Sequence, residues 1–507
     1  MRRAALAVSV AVLALATACG STVQVRGSES AGGLAGNAGL GGSQPTASPG
    51  STAAGGGGDA PTSTGGTATG SGASATAQAA GEQSSGTGAN RAAGPQSGGA
   101  QVGRGPTGVG PGVTASTIKV GIYTAQGFGK FAAQFGASIT TGNNTAQAQA
   151  VIDYLNAHGG VAGRKIVPVF HDFDITSGET GIDREYQAAC TAWTQDDHVY
   201  AVVNPVGTAD DALYQCLSKA GVITISAGDA KDATFFQKYA NWFYQPIDIN
   251  LRRIYVNLVE GLAPAGFFGS HPKVGVVYAD TPTDKAAVDY GLRPALARRG
   301  MSLAATFAAP TDNSANAAYS NAVLHFQSQG ITHVLFSSDA SPYEFERDAD
   351  QQKYYPRYAL QSKNSPSTIQ GLMPATAQHG TMGVGWQLMN DVDAAHDPGV
   401  ISARQALCLK IMKDAHQDTS SRAALVFAYW YCDNLFFLQA SLAHAPSFAA
   451  AGFRQGAESL ADFPSASTYR VSMAPGRLHD GAAQIRLFAF KDDCSCYQYV
   501  SGPKPAA

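Results

Sequence analysis

The stretch "AQAQAVIDYLNAHGGVAGRKIVPVFHDFD" covers residues 146–174 and holds the turn on which the fold depends. Its first half has the period of a helix, and Gly159-Gly160 stop that helix. Its second half opens with "KIVPVF", an apolar run of strand length beginning at Lys165. A similar run, "TIKVGIY" from Thr117, comes before the helix, so strand, helix and strand follow in order. The alternation continues through "VYAVV" (199–203) and "GVITIS" (221–226). After "NWFYQPIDIN" (241–250) it restarts with "KVGVVYAD", "SLAATF", "ITHVLFSS", "RYALQS" and "MGVGWQL". Strands alternating with helices predict an α/β protein with parallel sheets covered on both faces. Two such blocks predict two lobes with a cleft between them. A helical pair at 399–417 and 421–444, then strand-like "AQIRLFAF" and "CYQYV", close the pattern.

The chain opens "MRRAALAVSVAVLALATACGS", with Arg2 and Arg3 ahead of a short apolar run. Residues 1–18 read as a signal peptide, because a spanning helix needs about 20 apolar residues. The segment "LATAC" resembles the lipobox of bacterial lipoproteins, with Ala16 where leucine is preferred. That resemblance makes Cys19 the lipidated first residue of the mature chain and a membrane anchor. From there to residue 111 the composition falls to Gly, Ala, Ser and Thr, without apolar periodicity. Such a linker buries too little surface to order, and its reach is on the order of 50 Å. The formal charge of −3 and the absence of a Lys/Arg run argue against nucleic acid.

Three phrases carry a resemblance to a known family: "GVTASTIKVGIYTAQG", "LNAHGGVAGRKIVPVFHDFD" and "GTADDALYQCLSKAGVITISAGDA". They resemble the type I periplasmic solute-binding proteins, in particular the leucine/isoleucine/valine-binding group of ABC importers. The resemblance covers residues 112–500 and implies two α/β sandwiches joined by a three-strand hinge, closing on a ligand. Lobe 1 is then about 113–247 plus 385–475, and lobe 2 about 248–384 plus 476–500. It also implies a monomeric extracytoplasmic receptor, a small-molecule solute, an ABC permease partner and no cofactor. An envelope sensor or scaffold lipoprotein of the same fold, without a transporter, is the alternative.

The segment Gly127-Phe128-Gly129-Lys130-Phe131-Ala132 fits the dinucleotide pattern G-x-G-x-x-G/A. That fingerprint needs its first glycine directly after the strand and an acid about 20 residues on. Gly127 comes later and Asp172 far beyond, so the fingerprint fails; the resemblance implies instead a ligand lip facing the cleft, with Gln126 and Phe128 on it. Catalysis finds no support. "TISAGD" around Ser226 has Thr224 where a nucleophile elbow needs glycine, and "HDFD" (171–174) reads as a capped strand end.

Apart from Cys19, six of the seven cysteines remain, and six allow fifteen connectivities. The resemblance favours Cys190–Cys216 as the first-lobe disulfide. Cys408 and Cys432 lie on consecutive helices and can bridge them; Cys494 and Cys496 close only as a strained C-x-C bridge. No metal is expected, because no further ligand stands at metal spacing near them in the sequence.

For the cleft, the resemblance implies grips at Val206-Gly207-Thr208-Ala209 and Ser226-Ala227-Gly228-Asp229-Ala230. The family's threonine falls on Ala230, while Asp229 either contacts ligand or caps the next helix. In lobe 2, Thr283-Asp284 stand where amino-acid binders carry Tyr-Gly. The next loops are Phe336-Ser337-Ser338-Asp339 and Gln361-Ser362-Lys363-Asn364, and the acid that the family pairs with a ligand ammonium is not evident in the second. The expected lining is Gln126, Phe128, Gly207, Thr208, Gly228, Asp229, Thr283, Asp284, Ser338, Asp339 and Ser362. Such a lining suits a small polar solute other than leucine, isoleucine or valine.

Overall fold

A computed structural model describes residues 106–507, except 128–129, 131–139, 175, 177–178, 206, 208–210, 229, 311–314, 339 and 400. The leader, Cys19, the linker, Phe128, Thr208, Asp229 and Asp339 therefore lie outside the described residues. Two sheets organise the rest. The first is fully parallel, in the order β2-β1-β3-β4-β5. Its strands are β1 (Thr117–Gln126), β2 (Lys165–Asp174), β3 (Ala201–Asn204), β4 (Ile223–Ser226) and β5 (Phe243–Tyr244). The second runs β12-β11-β10-β9-β8-β6-β7. It comprises β6 (Val274–Ala279), β7 (Leu303–Ala309), β8 (His333–Phe336), β9 (Arg357–Gln361), β10 (Met382–Gly385), β11 (Gln484–Lys491) and β12 (Cys496–Tyr499). The strands from β6 to β10 pair parallel, and β11 and β12 are antiparallel additions.

The quoted turn shows why this sequence folds so. Asn143 caps the helix Asn144–Ala157, its side chain accepting from the amide of Ala146 at 3.0 Å. Gly160 ends the helix at φ +67°, its amide donating to Leu155 O at 2.8 Å. A Cβ on Gly160 would lie 2.1 Å from Arg164 O, so no other residue fits there without movement. The chain then enters β2, an edge strand, where Pro168 is tolerated. β2 pairs with β1 in unbroken register from Thr117↔Lys165 to Gln126↔Asp174.

One core packs around the first sheet and the helices Ala403–Asp414, Arg422–His444 and Ala450–Glu458. Tyr431 donates from the middle of the long helix to Tyr123 O on β1, at 3.0 Å. Two further apolar clusters cover the faces of the second sheet. No helix among the described residues is long and apolar enough to cross a membrane.

Three segments cross between the sheets. The first (245–250) and the third (464–483) run side by side: Gln245 N donates to His479 O and Gly481 N to Gln245 O, both at 2.8 Å. The second leaves β10 at Trp386, whose indole N–H donates to Asp248 Oδ1 on the first at 2.9 Å. Disulfides join Cys190 to Cys216, Cys408 to Cys432 and Cys494 to Cys496.

Candidate functional site

In an open parallel sheet, ligands bind outside the carboxyl ends of the strands where the winding direction reverses. In the first sheet that point lies between β1 and β3, and in the second between β6 and β8. The two ends approach each other through the loop after β4. Leu251 N donates to Lys231 O at 3.1 Å, and Arg252 grips Asp232 with Nε and Nη2, both at 2.8 Å. Asp232 is the N-cap of the helix Ala233–Lys238, so the capping role weighed for Asp229 belongs to Asp232.

On the first sheet's side, Gln126 is exposed, and its amide donates to Asp172 Oδ2 at 2.7 Å. Asp172 also accepts from Thr124, and Asp174 accepts from the Thr176 hydroxyl at 2.6 Å. The "HDFD" acids are thus engaged in strand-end polar contacts. Gly207 is buried at φ +69°, and its N–H donates to Asn204 Oδ1 at 3.2 Å. Gly228 is buried at φ +83°. The buried Ser226 hydroxyl donates to Asn204 O at 3.1 Å. Lys231 is buried beneath the loop, its ammonium 5.0 Å from the Phe235 ring centre and 3.4 Å from Asp211.

On the second sheet's side, Asp284 is wholly buried, and Thr283 lies half-buried one residue before it. The Thr281 hydroxyl donates to Asp284 Oδ2 at 2.8 Å and accepts from Asp284 N at 3.0 Å. Burial pushes the Asp284 carboxyl up to about 6, and the Asp232 charge adds to that rise. Ser338 is buried and accepts from Gln361 Nε2 at 3.3 Å. The Ser362 hydroxyl donates to Asp391 Oδ1 at 2.7 Å and accepts from Trp386 N at 2.7 Å, tying β9 to the second crossing. Tyr499 also donates to Asp391, and burial raises that carboxyl to about 7.

A cluster that sequence reasoning missed sits at the junction. Lys363 forms an ion pair with Asp248, and their side chains are 2 % and 0 % exposed. Asp248 also accepts from Ile249 N at 3.0 Å and from the Trp386 indole. Burial pushes the Asp248 carboxyl up, against the pull of Lys363. The only sequence signal was the single acid in the apolar segment "QPIDIN". Beside the junction a small cavity of about 10 Å³ lies between the second crossing and the long helix, among Gln387, Asn390, Tyr429, Trp430 and Ser467.

The sequence offers no further ligand near the C-x-C pair, but the fold brings one close. His396 reaches Cys496 from a hundred residues away, with Nε2 3.6 Å from Sγ.

No protein-family model matches the chain, and no curated protein sequence matches it. Solved structures do. An ABC-transporter substrate-binding protein from Aeropyrum pernix superposes with a TM-score of 0.57 at 13% identity, over 78% of this chain and 97% of that one. The chain has the two-lobed fold of the periplasmic substrate-binding proteins. A solute-binding protein from R. palustris, in complex with 4-hydroxybenzoate, gives 0.55 at 12% identity over 77% and 98%. A substrate-binding protein from Desulfitobacterium hafniense, in complex with Leu, gives 0.53 at 14% identity over 76% and 100%.

Proposed function

We propose that this protein is the extracytoplasmic solute receptor of an ABC importer, binding a small polar solute between the two sets of strand ends. The supporting observation is the pair of winding-reversal points in two sheets joined by three crossings. That architecture lets the sheets close on a solute without breaking either core. In this reading Cys19 carries the lipid anchor, residues 19–111 are the leash, and a permease in the cytoplasmic membrane is the partner. The receptor acts as a monomer, without cofactor or catalysis. Lobe 1 is about 113–247 plus 385–475, and lobe 2 the rest to residue 500.

The lining consists of Gln126, Phe128, Gly207, Thr208, Gly228, Asp229, Thr283, Asp284, Ser338, Asp339 and Ser362. Ser362 contributes by fixing β9 to the crossing. The site is not built for a branched-chain amino acid. Ala230 lacks the expected hydroxyl, Thr283 lacks the expected phenol, and no acid for a ligand ammonium is apparent in Gln361-Ser362-Lys363-Asn364. Each lost charged hydrogen bond costs about 1.5–3 kcal/mol, so two weaken binding by roughly two to four powers of ten. A thermal-shift screen of polar metabolites finds the solute by its stabilisation of the folded state. Isothermal titration against leucine, isoleucine and valine tests the exclusion; micromolar or tighter binding of any of them overturns it.

A further inference from the structure

Cys494 lies in the turn between β11 and β12, and Cys496 opens β12, paired to Lys491 across the turn. His396, on the crossing that follows β10, meets them. Its Nε2 and the two sulfurs lie within 4.8 Å of one another. The imidazole is oriented from behind. Asp393 Oδ1 contacts His396 Nδ1 at 2.7 Å and accepts from His396 N at 3.0 Å. Asp393 Oδ2 accepts from Gln370 Nε2 at 3.0 Å, and Gln370 Oε1 accepts from Tyr497 N at 2.8 Å. The carboxylate can only accept, so Nδ1 carries the proton and the Nε2 lone pair faces the sulfurs. A carboxylate-backed imidazole facing two sulfurs is the donor set of a thiophilic metal site.

We propose that, when the Cys494–Cys496 bond is reduced, His396 Nε2 and the two cysteine thiolates bind one zinc-class metal ion. The disulfide and the metal are alternative states of the same turn. With metal–sulfur bonds of ~2.3 Å and a metal–nitrogen bond of ~2.0–2.1 Å, a tetrahedral ion requires N···S of roughly 3.6 Å. His396 and Cys496 already stand 3.6 Å apart. The sulfurs must part to roughly 3.8 Å, which follows once their bond opens. Cys494 is exposed, so a reductant reaches it. The switch balances with an external dithiol. It gives two electrons and two protons to the bridge, leaving as its own disulfide, and metal binding then releases both protons from the new thiols.

The test uses the full chain, reduced anaerobically with a dithiol and desalted. Alkylation and peptide mapping identify the free sulfurs, and Zn²⁺ is titrated against a chromophoric chelator. The expected result is one Zn²⁺ per chain with submicromolar affinity, only in samples in which Cys494 and Cys496 are free. A Cys494→Ser/Cys496→Ser variant treated identically sets the zinc held by other sulfurs, and the difference is the readout. His396→Ala breaks no bridge; its oxidised form should melt as the parent does while its reduced form loses at least a hundredfold in affinity. Asp393→Asn should lose ten- to a hundredfold through the misdirected imidazole. Zinc binding that survives His396→Ala, or no stoichiometric zinc with both thiols free, overturns the proposal.

Discussion

Replacing Lys363 with methionine tests the junction most directly. The substitution keeps much of the side-chain volume and leaves Asp248 buried without its cation. Breaking a buried ion pair from one side costs about 3–5 kcal/mol. Unfolding entropy of ~2.1 cal/mol/K per residue gives roughly 0.8 kcal/mol/K for some 400 ordered residues, so melting should fall by about 4–6 °C at pH 7. The loss should depend on pH in a fixed direction. Burial raises the Asp248 carboxyl, and without Lys363 nothing cationic opposes that rise. A raised folded-state pKa means that the native protein holds a proton the unfolded chain releases, so the penalty grows as pH climbs above the ordinary carboxylate range. Lys363→Met should therefore come closer to the parent at pH 5 than at pH 7. Asp248→Asn added to Lys363→Met should recover most of the loss, because no buried charge remains. Calorimetry across pH 5–8 measures all three. A single variant melting within about a degree of the parent at pH 7, or a deficit that widens toward acid, refutes the account of the pair.

Four other outcomes are expected. Gly160→Ala should destabilise by about 1–3 kcal/mol in chemical denaturation, through positive φ and the close approach to Arg164 O. Gly159→Ala, with a positive φ but open space around its Cβ, should cost less. Removing both Cys190 and Cys216 should cost about 3–4 kcal/mol and lower the melting point by several degrees, and non-reducing peptide maps of the parent should show them joined. Mass spectrometry of the native protein should find an acylated peptide beginning at Cys19, and Cys19→Ala should release the protein from membranes.

The strands were readable because strands buried on both faces are written as short apolar runs between turn residues. "VYAVV" and "GVITIS" became β3 and β4, wholly buried. The Gly159-Gly160 stop was equally visible, since both take positive φ and at Gly160 a close backbone contact leaves no room for a Cβ. The cleft was less legible. That Gly207's N–H is taken up by Asn204, or that Ser362 serves Asp391, depends on rotamers and distances that no spacing encodes. Lys363 and Asp248 are separated by more than a hundred residues, as are the nearest members of the β1 and long-helix contact, so only the folded chain brings them together.

The three crossings also govern how the polypeptide is made. The first sheet's core needs the helices of residues 403–458, and the second sheet needs β11 and β12, which come later still. Neither half can be completed while the ribosome is still supplying the other, so vectorial, half-by-half maturation is closed to this chain. It must stay unfinished until nearly all of it has emerged, a state compatible with threading through an export channel. Once assembled, a single cut in any crossing leaves the halves joined by the other two.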